Sequence, residues 1–522
     1  MSKITKSKLY ELLSARNSNN PYSKLADIPK PDSFKDIKKA TQRIQEAILN
    51  KETITVVGDY DVDGVVSTSI IVDFFRTINY EVNYLIPNRF KHGYGLSPKI
   101  VDLIDEGLVI TVDNGITAVD AAASLKNKGI DLIITDHHTV GDEIPDALAI
   151  VNPKQEDCQF PFKEICGAQV AWYLCAAIKA QMNLDVNMTS FLDLLCIAII
   201  ADIMPMTSLN FTMVKYGLSK IKTSQRPALI ELNEIMRKEK FISDDIGFFI
   251  APKINSAGRM EDASIALNFL LSQDKYAAQD GLYALNDLND YRKTQQEQMS
   301  QKAMAEVDDH DKAIVVWGED WHEGVIGIVA SKLSNHYKKP AFIFSINDGI
   351  AKGSARANGD INLHTIIAQT QDLLLGFGGH KNAAGLSLKK ENLIEFKNRI
   401  NEIVTLSDKP LHITPKTIGE LNVSSVDMEF ISIIDEFEPY GLNNIKPIFQ
   451  ISDAIILKEE LIGKDKNHLK LVLKADNIIF EAIRFHFNTK LNLDKINLIV
   501  TVSKNEFRGV CKPQFLVQDV LY

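Results

Sequence analysis

Four hydrophobic runs in the first third of the chain each end on side chains able to bind a cation or a phosphate. Ile54 to Val57 precedes Asp59, Asp61 and Asp63, and Leu108 to Val112 precedes Asp113. Leu132 to Thr135 precedes Asp136, His137 and His138, and Ala147 to Val151 precedes Asn152. Asp202, in IIADIMP, adds a further acid. The aspartates of GDYDVDG repel one another unless cations lie between them. Carboxylate oxygens with imidazole are the hard and borderline donors that suit Mn²⁺ or Mg²⁺. Two such cations about 3.5–4 Å apart would activate water for in-line attack on a phosphate ester. A serine nucleophile has little support, because GxSxG is absent. Each residue alone has a plainer reading: the acidic loop as a solvated turn or N-cap, Asp113 as a turn residue, His138 as a core histidine, Asp202 as a helix cap. Their repetition at the ends of successive runs favours the metal site.

For these groups to meet, the runs must be parallel strands with their carboxyl ends on one rim. Helical periodicity between most of them, including Val65 to Phe75 after the acidic loop, points to such an α/β domain. Open α/β sheets hold ligands at that rim. Strand signals fade after residue 226, and Ala277 to Glu306 reads as a long polar connecting helix. A second α/β unit starts at Ala313 to Val316, continues through GIVASKLSNHY and AFIFSI, and reaches GFGGHKNAAGLSL. The polar stretch Ser407 to Pro415 marks a later boundary. Pro447 to Leu457, His468 to Lys474, Ile478 to Phe485 and Ile496 to Val502 then suggest a small antiparallel barrel of OB type. The expected fold is two α/β domains joined by a long helix, plus a C-terminal β-barrel. The expected divisions are 1–225, 226–310, 311–406 and 407–522.

A chain of 522 residues exceeds what one core usually serves. Its net charge of −10 argues against a global basic field that coats nucleic acid, though not against a local groove. The five cysteines form no CxxC pair, so free thiols are expected and zinc is not. The N-terminal residues lack the apolar core of a secretion signal. The most apolar run, Phe191 to Met206, is broken by Asp193 and Asp202 and is shorter than the ~20 residues that cross a bilayer. A cytoplasmic protein with no membrane contact is expected.

The ordered series DYDVDG, VDNG, DHH, VNP and ADIMP, with INSAGRM at 254–260 and GGHKNAAG at 378–385, resembles the DHH phosphoesterase superfamily, and in particular its single-strand-specific exonucleases. The resemblance covers most of residues 54–388, and PYGLNNIKPIF at 439–449 extends it toward an OB-type domain. It implies that Asp61 and Asp113 hold one divalent cation, Mn²⁺ or Mg²⁺. Asp63, Asp113, His137 and Asp202 would hold a second, with Asp113 as the bridge. Asp59 would support the first cation or its water. Many relatives carry a histidine where this chain has Val57, which removes one ligand from the first site.

The same resemblance implies that Asp136 fixes an imidazole tautomer and that His138 orients the ligands or touches phosphate. Arg259, in a loop before a helix near Asp262, would reach the scissile or a neighbouring phosphate; an ordinary salt bridge is its competitor. Asn152, Ser354, Arg356, Gly379 and His380 would contact substrate, against the plain reading of GFGGH as a turn between helix and strand. Trp317, Trp321 and Phe377 are core residues or base-stacking ones. Lys464, Lys466, Lys470, Arg484, Lys504 and Arg508 line a solvated barrel face or a groove for single-stranded DNA. The implied activity is 5′-to-3′ hydrolysis of single-stranded DNA in recombination and repair, with single-strand-binding protein and a helicase as partners. Two rival readings keep the fold: hydrolysis of short RNA or cyclic dinucleotides, and a noncatalytic DNA-binding scaffold. The extra C-terminal domain argues against the first, and the intact acidic set against the second.

Overall fold

The computed structural model describes residues 3–357, 361–405, 416–464, 466–507 and 510–521. Its first sheet contains β1 (Ile54–Val57), β2 (Asn83–Leu85), β3 (Leu108–Val112), β4 (Asp131–Thr135) and β5 (Ala149–Val151). The strand order is β2-β1-β3-β4-β5, and every pairing is parallel. β1, β3 and β5 bury every residue, as expected of strands covered by helices on both faces. The four expected runs are therefore adjacent, and their carboxyl ends share one rim. β2 escaped the sequence reading because it is short, polar and at the edge. The strand signals expected up to residue 226 stop at β5, after which the elements are helical up to Ala305.

The long helix expected over 277–306 runs Lys275–Ala305. Met260, Met299 and Ala303 from the connecting region pack in one cluster with Ile314, Val325, Val329 and Ile343. That apolar contact fixes the second sheet against the connector. The second sheet comprises β6 (Ile314–Glu319), β7 (Ala341–Asn347), β8 (Ile350–Arg356), β9 (Leu374–Gly379) and β10 (Ala383–Lys389), in the order β6-β7-β8-β10-β9. Only β6 and β7 pair in parallel in this sheet. GFGGH is thus largely strand β9, not a turn between helix and strand.

The last five strands, β11 (Phe449–Ile462), β12 (His468–Ala475), β13 (Ile478–Arg484), β14 (Lys495–Phe507) and β15 (Val510–Leu521), form a closed barrel. The barrel is not wholly antiparallel as expected: β13 and β15 pair in parallel and close it. The expected boundary at 407–415 and Arg508 lie outside the described residues. Ile4, Leu9 and Leu13 are buried in the same cluster as Phe449, Leu471 and Leu498, so the N-terminal helix Lys6–Asn17 packs on the barrel domain. Leu13→Ala would remove a fully buried side chain there. It should cost about 2–5 kcal/mol and raise hydrogen exchange across β11 and β14, with the first sheet unaffected.

Candidate metal centre

Two glycines let the acidic loop fold onto the helix that follows it. A Cβ at Gly58 would lie 2.1 Å from Thr68 Oγ1, and one at Gly64 would lie 2.5 Å from the backbone oxygen of Asp59. Asp61 caps the helix Val62–Thr77 and accepts from the Gly64 N–H at 3.0 Å. The helix starts three residues earlier than expected, so Asp63 lies in its first turn. Both Asp63 oxygens accept from the start of a second helix, Gly167–Met182, through the N–H groups of Gly167 at 2.6 Å and Ala168 at 2.8 Å. Two helix N-termini, with their unpaired N–H groups and positive dipole ends, therefore face the acids.

Asp113 follows β3 with φ 62°, a left-handed conformation that aspartate tolerates better than most residues. Its carboxylate lies against Gly167, where a Cβ would sit 2.4 Å from Oδ1. The neighbouring Asn114 ties two strand ends together, donating to the carbonyls of Val57 at 3.1 Å and Val112 at 2.9 Å. After β4, Asp136 accepts from the backbone of Ile116 at 2.9 Å, from the backbone of His137 at 2.7 Å, and through its contact with His138 Nδ1 at 2.7 Å. These contacts aim the two imidazoles in different directions. His137 Nε2 lies 3.2 Å from Asp113 Oδ1 and 3.7 Å from both Asp63 Oδ2 and Asp202 Oδ2. Asp202 terminates the helix Leu192–Ala201, where its charge adds to the negative end of the dipole instead of offsetting it. Capping does not explain this residue.

Ligand atoms of Asp59, Asp61 and Asp113 lie within 4.8 Å of one another, as do those of Asp63, His137 and Asp202 and those of Asp113, His137 and His138. Asp113 thus falls between an all-carboxylate group and a mixed one. Asp59 is a full member of the first group. Asp59 Oδ1, Asp113 Oδ1 and Asp202 Oδ2 are buried without a hydrogen-bond donor. Buried, unpaired carboxylate oxygens are costly, and the donor set fits two hard divalent cations.

The titration pattern reflects the same crowding. Burial, then Asp61, pushes the Asp59 carboxyl well up; burial, then Asp63, does the same to Asp113. Burial, with Asp63 and Asp61, raises Asp202 to about 8. Burial alone would lower His138, but the hydrogen bond and charge of Asp136 outweigh it and bring the imidazole to about 9.

Next to this centre is a groove of about 600 Å³ between the first domain and the second sheet. Arg89, Arg259, Arg356, Lys352, Ser354 and Phe377 line it. Arg89 stacks over the Tyr60 ring at 4.3 Å, and its Nε is buried without a partner. Arg356 Nη1 donates to Ser354 Oγ at 2.9 Å. Lys352 pairs with Glu323 at 3.1 Å, whereas none of the three arginines pairs with a carboxylate among the described residues. Burial, then Arg89 and Arg356, lowers Arg259 to about 10. Three clustered guanidinium groups of this kind are arranged for an anion.

Several expected residues are placed differently. Arg259 lies within the helix Ala251–Met260, not in a loop, and its Nη1 donates to the Gly324 carbonyl at 3.3 Å. Asn152 is fully buried, and its amide is spent on His138 O at 3.0 Å and the Lys154 N–H at 2.8 Å. It positions the histidine loop and does not face a substrate. Gly379 and His380 follow the part of β9 that lines the groove and are not among its walls; Gly378 is. Trp321 packs over Gly318 and Trp317 sits on the core of the second sheet, so both are structural. Arg89 and Tyr60 were missed. Arg89 follows the unrecognised β2, and it is only one of two cations, with Lys91, in the loop PNRFKHGYG.

The DHH family, N-terminal domain, matches residues 53–199; the DHHA1 domain matches 310–406; the RecJ OB domain matches 419–519. The single-stranded-DNA-specific exonuclease RecJ of Haemophilus influenzae is 34% identical, with 98% of this chain and 95% of that protein aligned. RecJ of Bacillus subtilis is also 34% identical over 95% of this chain, and this chain spans 65% of its length. The crystal structure of RecJ from Thermus thermophilus in complex with Mn²⁺ superposes with a TM-score of 0.85 at 28% identity, covering 99% of this chain and 76% of that one. Its complex with Mg²⁺ gives 0.77 at 27% identity, covering 99% and 74%.

One prediction concerns metal and protons. The raised carboxyls bind protons more tightly in the folded protein than in an unfolded chain. The stability of the metal-free protein therefore falls as pH rises from about 4 through about 8. A divalent cation replaces those protons, so the gain in Tm on adding Mn²⁺ should be larger near about pH 8.5 than near about pH 6. Differential scanning fluorimetry checks this, and an equal or smaller gain at the higher pH would contradict it.

Proposed function

This chain belongs to the RecJ family, and from that premise we propose that it is a divalent-metal-dependent exonuclease that hydrolyses single-stranded DNA to nucleotides from the 5′ end. The observation that carries the reading is the pair of ligand groups sharing Asp113, next to a groove lined by three arginines. Repelling acids and repelling cations set side by side suit a substrate that carries phosphate and needs metal.

Two divalent cations, Mn²⁺ or Mg²⁺, held by Asp59, Asp61 and Asp113 and by Asp63, Asp113, His137 and Asp202, would supply a water of lowered pKa and offset charge on the phosphoryl oxygens. The helix starts behind Asp61 and Asp63 hold those two carboxylates in place. His138, whose Nδ1 contact with Asp136 favours the charged ring, presents Nε2 near the Tyr94 hydroxyl at 3.5 Å, where it can donate to a phosphate oxygen. Asp136 holds the ring from its other side. Arg89, Arg259, Arg356 and Ser354 bind phosphates and set the register of the strand. The attack is direct and needs no covalent enzyme intermediate.

Substrate preference follows from shape and from the family. The groove lies between two domains fixed apart by the connector, which supports a passage for one strand and not a duplex. The barrel supports a second contact with single-stranded DNA. No helix among the described residues is long and apolar enough to cross a membrane. A cytoplasmic role in recombination and repair, on ends supplied by a helicase and covered by single-strand-binding protein, completes the proposal. So does the division of the chain at residues 225, 310 and 406.

Digestion of end-labelled single- and double-stranded DNA, with a dinucleotide alongside, tests metal need, polarity and strand preference together. Mn²⁺-dependent release of nucleotides from the 5′ end of single strands is expected; faster cleavage of the dinucleotide would favour the rival substrate. Asp113→Ala should bring hydrolysis to background while keeping much of the DNA affinity, and retained turnover would exclude its bridging place. Hydrogen bonds to charged groups are worth about 1.5–3 kcal/mol. Arg356→Ala should therefore raise KM by roughly ten-fold or more, with a smaller change in kcat.

A further inference from the structure

A second cavity, of about 360 Å³, shares Arg259 with the groove and is of different character. Ile200, Ile203, Phe248 and Pro252 form an apolar wall, and Arg259 and Arg292 lie at its polar side. Ala201 and Ile203, on either side of the candidate ligand Asp202, both line it, so the cavity adjoins the metal centre. Phe248 is 81% exposed, the most exposed large hydrophobic side chain among the described residues, and Ile203 is 68% exposed. Exposed apolar side chains are ordinary when scattered. These two line one cavity, and each stands on unusual backbone. Phe248 lies in a π-helical turn, Ile246–Ile250, a form that recurs at functional sites. Ile203 has φ 54°, a left-handed conformation that a β-branched side chain rarely adopts and that persists where the surroundings enforce it.

We infer that this cavity is a nucleobase platform: Phe248 stacks on, and Ile203 flanks, a base adjoining the phosphate that lies at the metal centre. The inference rests on the nuclease reading and adds to it a binding site for the base. The occupant follows from continuity. A strand whose phosphate reaches Asp202 places a neighbouring base within reach of the wall that begins at Ile203. An aromatic ring and branched aliphatic groups accept any base by its face, which suits hydrolysis without sequence preference. The groove holds phosphates through guanidinium groups, and this cavity adds apolar surface for a base on the other side of Arg259.

The test compares oligonucleotides that are intact or carry an abasic position near the 5′ end, stepped through the first few nucleotides. At one position, the wild-type protein should lose about ten-fold in kcat/KM when the base is missing, as base–aromatic stacking predicts. Phe248→Ala should show the same loss on intact DNA and no further loss on the abasic strand, and Phe248→Trp should restore the contrast. Because Phe248 is exposed, the alanine variant should keep its fold and its Tm gain with Mn²⁺. A Phe248→Ala protein that discriminates against the abasic strand as the wild type does would overturn the platform. Binding of the same oligonucleotides to Asp113→Ala, read by fluorescence anisotropy, gives the contrast without turnover. If no DNA is hydrolysed, the nuclease reading fails, and the platform stands or falls on whether Phe248→Ala, added to that background, erases the binding contrast.

Discussion

The mutual repulsion of buried aspartates is the constraint on which the site depends. Asp59, Asp61, Asp63 and Asp113 are all held close together at the sheet rim, and burial makes the charges of Asp59, Asp61 and Asp113 more expensive. The fold answers with positive charge that costs no side chain. The helix starts at Val62 and Gly167 turn their N–H groups toward Asp61 and Asp63. This offsets part of the repulsion and leaves Asp113 and Asp202 with oxygens that no protein donor reaches. What the backbone leaves unsatisfied defines where cations belong. Glycine enters for the same reason, since Gly167 is the one residue type that lets the Asp113 carboxylate lie against the helix start.

The second balance is of the opposite sign. Arg89, Arg259 and Arg356 come from three separate parts of the chain, and the groove exists because the connector packs against both domains. Met260, Met299 and Ala303 meet the second sheet through apolar contact, which does not weaken with salt as an exposed ion pair does. The distance between acids and arginines is thus set by packing, not by their mutual attraction. Arg259 is held on the last turn of a helix inside that packed region, so its position is as rigid as the connector.

The strands of the rim were legible because Ile54–Val57 and Leu108–Val112 are unbroken apolar runs closed by acids, a pattern that a parallel sheet covered on both faces produces and an exposed sheet does not. The barrel strands were legible from their alternation, although the pairing of β13 with β15 was not, since strand order depends on contacts far apart in sequence. Arg89 was hidden because its loop follows a three-residue edge strand, Asn83–Leu85, with no apolar run to mark it. Asn152 was misplaced for a different reason: an amide after a strand looks the same in sequence whether it faces a ligand or a backbone carbonyl. Gly379 and His380 show the limit of a motif, because only Gly376, Phe377 and Gly378 of β9 reach the groove wall. Phe248 carried no signal, as π-helical turns leave no distinctive pattern in sequence.

The burial of Ile4, Leu9 and Leu13 in the barrel cluster has a consequence for biosynthesis. Those three side chains are synthesised well before the strands that shelter them. Until then the helix Lys6–Asn17 has no permanent cover, while the rim domain, whose contacts are closer in sequence, can already assemble. The helix Lys6–Asn17 therefore docks late. The barrel domain is fully assembled only when that helix has docked on strands made much later.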